Sequence, residues 1–393
     1  MILTIIIFLV MLAALVFVHE LGHFALAKWV GARVDEFAIG FPPKVFSWRI
    51  GETVYAINLI PFGGYVKILG EDAVESHAEG VVAEIDPADE AETAEDPSRS
   101  LAHKSRKAQV AVMVAGITAN VIFAWVLLSV SFLVGMPASS DNYFNAPVTN
   151  SHVSIVSITA DSPAARAGLA SGDAIVGISG AGIANLTAPF TISAIQQAIQ
   201  AASGTLAISY VSDKDYSSSI DPAKVKVVDV APAAGIVNGH KAIGIGMDDV
   251  GIIKLSFFKA FYVGAKGTFY MAVNTIEGLA AFIAGFFTGH AGLENSLSQV
   301  SGPVGIAKMV GEARSFGFAY LLSFTALISI NLAIINALPL PALDGGRIAI
   351  IAIEGIIRRP LNPRAVNLTH TIGFAALILL MLVITANDIL KLF

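Results

Sequence analysis

The chain has 393 residues, of which 55% are hydrophobic and only 14% charged. Soluble domains carry about 25% charged residues, so the composition excludes an ordinary soluble protein and points to a membrane protein. There is no cysteine, which excludes disulfides and thiolate metal ligands and leaves His and carboxylates to bind any metal.

The formal charge of -6 is unevenly spread. Glu71 to Pro97 holds eleven carboxylates and no Lys or Arg, so the rest of the chain is net basic. This acidic stretch, residues 71–100, reads as a solvated loop and not as a metal or nucleic-acid site.

In chain order, Met1 to Val18 is uncharged. It has neither the basic start nor the small-residue cleavage site of a signal peptide, and so reads as a retained first transmembrane helix within residues 1–33. Residues 34–70 contain two strand-like runs, Thr53 to Ile60 and Tyr65 to Leu69. They flank Pro61-Phe62-Gly63-Gly64 and predict a membrane-associated β-hairpin. Residues 108–137 form a second uncharged run, long enough for about 30 Å of hydrocarbon. Residues 150–248 read as short strands with Gly and Pro punctuation and one helix, Ile192 to Ala202, a compact α/β module. In 255–290, Lys259, Lys266 and Glu277 fall on one helical stripe, which predicts an amphipathic helix lying at the interface and not a fifth span. Third and fourth spans are expected at 315–342 and 365–390. The predicted fold class is therefore a polytopic α-helical membrane protein with four transmembrane helices, a β-hairpin and an inserted α/β domain. Basic clusters at Arg99, Lys104, Arg106 and Lys107, and at Arg358, Arg359 and Arg364, read as cytoplasmic. The α/β module then lies outside.

The chemistry concentrates in His19-Glu20-Leu21-Gly22-His23. Histidines four apart share one helix face and can reach one ion, and Glu20 sits beside them as a general base. Ionisable groups at membrane depth are costly and usually functional. Catalytic zinc takes a third protein ligand and keeps an open position. The third is a distant Asp, Glu or His. Asp344 stands out, because it follows Asn336-Ala337-Leu338-Pro339-Leu340-Pro341-Ala342-Leu343, where prolines break the helix at membrane depth. The alternative is that Asp344 only caps the following helix.

Taken together, HELGH in the first span and NALPLPALDGG in the third resemble the site-2 protease family of intramembrane zinc metalloproteases. Within it the closer likeness is to the bacterial branch of RseP type that cleaves anti-sigma factors. The resemblance covers nearly the whole chain. It includes Pro61 to Lys67, Ser162 to Asp173 (the start of a PDZ domain), Ser301-Gly302-Pro303 and Leu361 to Asp388. It implies zinc bound by His19, His23 and Asp344, with Glu20 as base. It also implies substrate contacts from Asn336, Asn331, Gly63, Gly64 and Tyr65. Each Asn could instead make a helix–helix hydrogen bond. The interval 138–260 is too short for two PDZ modules, so a single-PDZ form is expected. The implied substrate is the transmembrane segment of a single-pass protein, of anti-sigma-factor type or a remnant signal peptide. The implied setting is the bacterial cytoplasmic membrane, with the PDZ domain outside and the active site near the cytoplasmic face. Two other classes compete. A metal-ion transporter should show repeated helices and polar residues on several spans, and neither is seen. An inactive PDZ scaffold with a structural metal would need no Glu20.

Overall fold

The computed structural model describes residues 2–71, 97–142, 144, 146–180, 182–183, 185–212, 215–216, 220–237, 240–288, 301–359 and 361–390. Most of the predicted acidic loop, 72–96, lies outside the described residues. The chain forms two compact units: Met1–Trp125 with Thr268–Val310 and Thr325–Phe393, and Val126–Gly267 with Gly311–Phe324.

Among the described residues, four helices are long and apolar enough to cross a membrane: α1 (Ile2–Trp29), α2 (Arg106–Val134), α7 (Phe318–Ala337) and α9 (Pro363–Leu390). The 28 residues of α1 rise about 42 Å, more than the hydrocarbon core requires. Their exposed surfaces are apolar: Ile2, Ile6 and Val10 on α1, and Leu368, Ile372, Phe374, Leu379 and Leu380 on α9. Such surfaces are costly in water and suited to lipid. The third span is shorter than the predicted 315–342. It stops at Ala337, and α6 (Pro303–Ser315) and α8 (Asp344–Ile357) are separate helices. The physical reasons are Gly317, left-handed at φ +102° between α6 and α7, and Pro339 and Pro341, which lack the N–H groups a continuing helix needs after α7.

Before α2, β1 (Val34–Ile50) and β2 (Thr53–Ile68) build a sheet unlike the predicted hairpin. The runs 53–60 and 65–69 do not pair with each other. Instead, Glu36 to Ile39 lies between them, facing Val54 to Ile57 on one side and Lys67 to Gly64 on the other. The tight hairpin is one step earlier, Ile50 opposite Thr53 and Phe46 opposite Ile57, closed at Gly51 with φ +63°. The residues of 34–39 supply the apolar partner that the Pro-Gly turn alone could not provide. Beyond Phe41 this sheet exposes Val45, Phe46, Trp48 and Ile50.

The second unit holds a seven-stranded sheet of order β3-β11-β4-β5-β7-β8, with β6 paired to β5. The strands are β3 (Met136–Ser139), β4 (Thr149–Ile158), β5 (Asp173–Gly180), β6 (Leu186–Thr187), β7 (Leu206–Ser212), β8 (Lys226–Val230) and β11 (Ile245–Ile253). A small separate ribbon pairs β9 (Ala233–Val237) with β10 (His240–Ala242). Helix α4 (Ile192–Ala201) matches the predicted 192–202. Its Ile195 and Ile199 pack on Ile155, Ile175, Ile178 and Ile208. Ser162 caps the short α3 (Pro163–Arg166), and the Asp173 carboxylate accepts the Ala170 N–H at 2.8 Å. The 162–173 motif thus closes turns within the sheet domain. Strands β3 and β11 carry the sheet past both predicted limits of 150 and 248.

Helix α5 (Phe257–Thr288) is continuous and is not among the four spanning candidates. Lys259, Lys266 and Glu277 are exposed as the stripe predicts, but so are Phe257, Phe258, Tyr262 and Phe269. The buried face is made of small residues such as Ala260 and Gly264.

At the end of α9, the Asp388 carboxylate is buried and accepts the N–H groups of Gly302 and Gly305 at 2.9 and 2.7 Å. This satisfies two donors at the α6 N-terminus that the helix itself leaves unpaired. Asp388→Ala should cost about 2–3 kcal/mol locally. Faster amide exchange at Gly302 and Gly305 is the readout, and unchanged exchange would show that the clasp carries no stability.

Candidate metal centre

His19 and His23 lie one turn apart on α1, 9% and 7% exposed. The His23 Nδ1–H donates to the carbonyl of Val112 at 2.9 Å. A neutral imidazole with its proton on Nδ1 carries a lone pair on Nε2. His19 Nδ1 lies 3.2 Å from the Asn120 amide nitrogen on α2, and Asn120 Oδ1 is buried with no hydrogen-bond partner. Exchanging the N and O ends of that amide lets Oδ1 accept the His19 Nδ1–H. His19 then also presents a lone pair at Nε2.

Asp344 reaches these nitrogens from the far end of the chain. After α7 ends, the turn 338–343 brings the chain round, and Asp344 opens α8. Glycines make the turn possible. A Cβ on Gly345 would lie 2.2 Å from the carbonyl oxygen of Leu338, and one on Gly346 would lie 2.1 Å from that of Leu340. No side chain caps α8, so Asp344 is not spent as its cap. Asp344 Oδ2 sits 3.3 Å from both Nε2 atoms, which are 3.2 Å apart.

Three lone pairs therefore face one point, and Asp344 Oδ2 has no hydrogen-bond partner. Such a cluster is repulsive unless a proton or a metal cation sits within it. Ligand bonds of 2.0–2.2 Å around tetrahedral zinc place donor atoms about 3.4 Å apart, close to the edges seen here. The donor set of two imidazoles and one carboxylate fits zinc with one position left open.

Glu20 stands beside this triangle at the sheet edge. A Cβ on Gly64 would lie 3.7 Å from Glu20 Cγ. Asn336 Nδ2 is 3.3 Å from His19 Nε2. The other predicted contacts are placed differently. Asn331 Oδ1 accepts a hydrogen bond from Thr275 Oγ1 at 2.9 Å, the helix–helix bond that was its alternative. Gly63 has φ +103° and packs against the Phe41 ring, and Tyr65 OH donates to Glu36 Oε1 at 3.0 Å.

Ion pairs fasten the surroundings. Glu52 takes hydrogen bonds from Lys28 and Arg99, each at 2.6 Å. Burial pushes the Glu52 carboxyl upward, but these two cations outweigh it and hold the group below the usual range. Arg347, one turn after Asp344, donates to Glu71 at the end of β2.

Sequence reading missed Asn120, Gly116 and the Val112 carbonyl. Asn120 carried a usable signal, a polar amide in an uncharged span. Gly116 did not, because its role depends on α1 lying against α2. A Cβ there would lie 2.2 Å from His23 Nε2.

A family model described as peptidase family M50 matches residues 7–380. A zinc metalloprotease RasP of Geobacillus kaustophilus is 32% identical, covering 99% of this chain and 98% of the relative. A putative zinc metalloprotease of Clostridium perfringens is 33% identical, covering 96% of each. The regulator of sigma-W protease RasP of Bacillus subtilis is 30% identical over 99% of each. With a match of this extent spanning both the histidine pair and Asp344, the chain belongs to peptidase family M50.

Proposed function

We propose that the chain is a zinc endopeptidase that cuts the transmembrane segment of single-pass membrane proteins, with His19, His23 and Asp344 as zinc ligands and Glu20 as general base. One observation carries this reading: three lone pairs from two ends of the chain converge beside a carboxylate, on a helix able to cross a membrane. Zinc, when bound, acidifies water and polarises a carbonyl. The rest is done by residues of the chain. The Val112 carbonyl and the Asn120 amide hold the two imidazoles in the tautomer that presents Nε2. Glu20 takes the proton of the attacking water and returns it to the departing amine. Asn336 offers an N–H donor at the same place.

A transmembrane helix hides its carbonyls in internal hydrogen bonds, so it must unwind before it is cut. Residues 64–68 form an edge of the sheet next to Glu20, where an unwound strand could add. The substrate class is an anti-sigma-factor-type protein, a reading supported by the sigma-W regulator among the relatives. The setting is the bacterial cytoplasmic membrane, with the active site near the cytoplasmic face. The sheet domain is an extracytoplasmic PDZ-like module, a reading supported by its antiparallel strands with α4 packed on them.

The test uses purified protein in nanodiscs with a labelled single-pass substrate. Cleavage inside the apolar segment, lost on chelation and restored by zinc, is expected. Cleavage that survives complete zinc removal, or that falls only in soluble flanks, would overturn the reading.

A further inference from the structure

We infer that His370, on the fourth spanning helix, is a positioning residue for Asp344. The inference rests on the reading of Asp344 as a zinc ligand. It adds that α9 sets where that ligand stands.

The turn 338–343 makes its own hydrogen bonds where it can: Leu340 N–H to Leu338 O at 2.7 Å, and Leu343 N–H to Leu340 O at 3.3 Å. The Ala342 N–H finds its acceptor outside the turn, at His370 Nδ1, 3.1 Å away. Ala342 has φ +68°, a left-handed conformation that a residue with a Cβ adopts at a cost of about 1–2 kcal/mol. Something must hold it there, and the imidazole is 6% exposed, inside the packed helices. One turn further along α9, Gly373 leaves room for Pro341, because a Cβ on it would lie 2.4 Å from Pro341 Cβ. The helix thus offers the turn both an acceptor and a bare patch of backbone, two and three residues before Asp344.

The bond is partly buried, so water replaces it poorly. Without the imidazole, the Ala342 N–H is orphaned and the left-handed residue is free to relax. Either change moves the carboxylate that must meet both Nε2 atoms. Metal sites tolerate displacements of only about 0.5 Å.

The experiment measures zinc affinity of the purified protein by competition with a chromophoric chelator, independent of proteolysis. His370→Leu should weaken zinc binding about 10- to 100-fold, the usual effect of losing an outer partner of a ligand. His370→Asn, whose Oδ1 can take the place of Nδ1, should stay close to wild type. Gly373→Ala, which keeps the imidazole but pushes on Pro341, should fall with His370→Leu. Wild-type affinity in His370→Leu, or equal weakening in His370→Asn and His370→Leu, overturns the proposal. If His370→Leu does not fold, Gly373→Ala decides alone, and wild-type affinity in it overturns the proposal. Asp344→Asn separates the two levels. Loss of zinc in it together with an unaffected His370→Leu leaves the ligand reading standing and removes the positioning role, whereas wild-type affinity in Asp344→Asn removes both.

Discussion

Glu20→Gln is expected to lower cleavage of a transmembrane substrate about 10²- to 10⁴-fold while zinc stays bound, the range associated with general acid–base catalysis. The substitution keeps the size of the side chain. What it removes is the ability to take a proton. Glu20 is not one of the three converging ligands, so zinc content should be unchanged. The measurement pairs initial cleavage rates with zinc stoichiometry. A variant that cuts at the wild-type rate would exclude Glu20 as the base. A variant that loses zinc along with activity would make Glu20 part of the metal centre.

Gly116→Ala is expected to abolish zinc binding, weakening it by more than the roughly 10- to 100-fold seen when an outer partner is lost. The new methyl would sit 2.2 Å from His23 Nε2 and 2.6 Å from Cε1, distances no Cβ adopts. The ring has little freedom to retreat, because its Nδ1–H is committed to Val112 O. Nor can α1 move away freely, since Gly22 already meets the α2 backbone so closely that a Cβ there would lie 2.4 Å from Ala115 O. Gly278→Ala on α5, with nothing within 4 Å, is the control for a glycine-to-alanine change in a helix. Equal zinc affinity in Gly116→Ala and Gly278→Ala would show that α1 and α2 do not pack this closely around the ligand.

The division between what was legible and what was not follows the range of each interaction. The four long apolar helices were readable because an apolar run of spanning length is a local property. The histidine pair was readable because helical periodicity alone brings residues 19 and 23 to one face. Glu20 follows from its place between them. The α4 helix and the turns of 162–173 were readable for the same local reason. Asp344 was legible as a broken helix end followed by a carboxylate, but the alternative role as a cap could be set aside only by seeing where its oxygen points.

The β1–β2 sheet shows where local reading stops. The Pro-Phe-Gly-Gly turn signals a reversal and says nothing about which strand lies alongside, and residues 34–39 take the middle place. Asn331 and Asn336 are five residues apart in the same helix, and the sequence offers nothing to separate them. Packing places one against Thr275 and the other against His19. By itself, then, the sequence determined the four long apolar runs, the histidine pair with its neighbouring carboxylate, and the donor types that a cysteine-free site must use. Only the tertiary structure decided the closeness of α1 to α2, the contacts of Val112 and Asn120 with the two imidazoles, and the contact of His370 with the turn before Asp344. The physical reason is that these depend on atoms from different helices meeting within hydrogen-bond or van der Waals distance, which no periodicity along a single segment encodes.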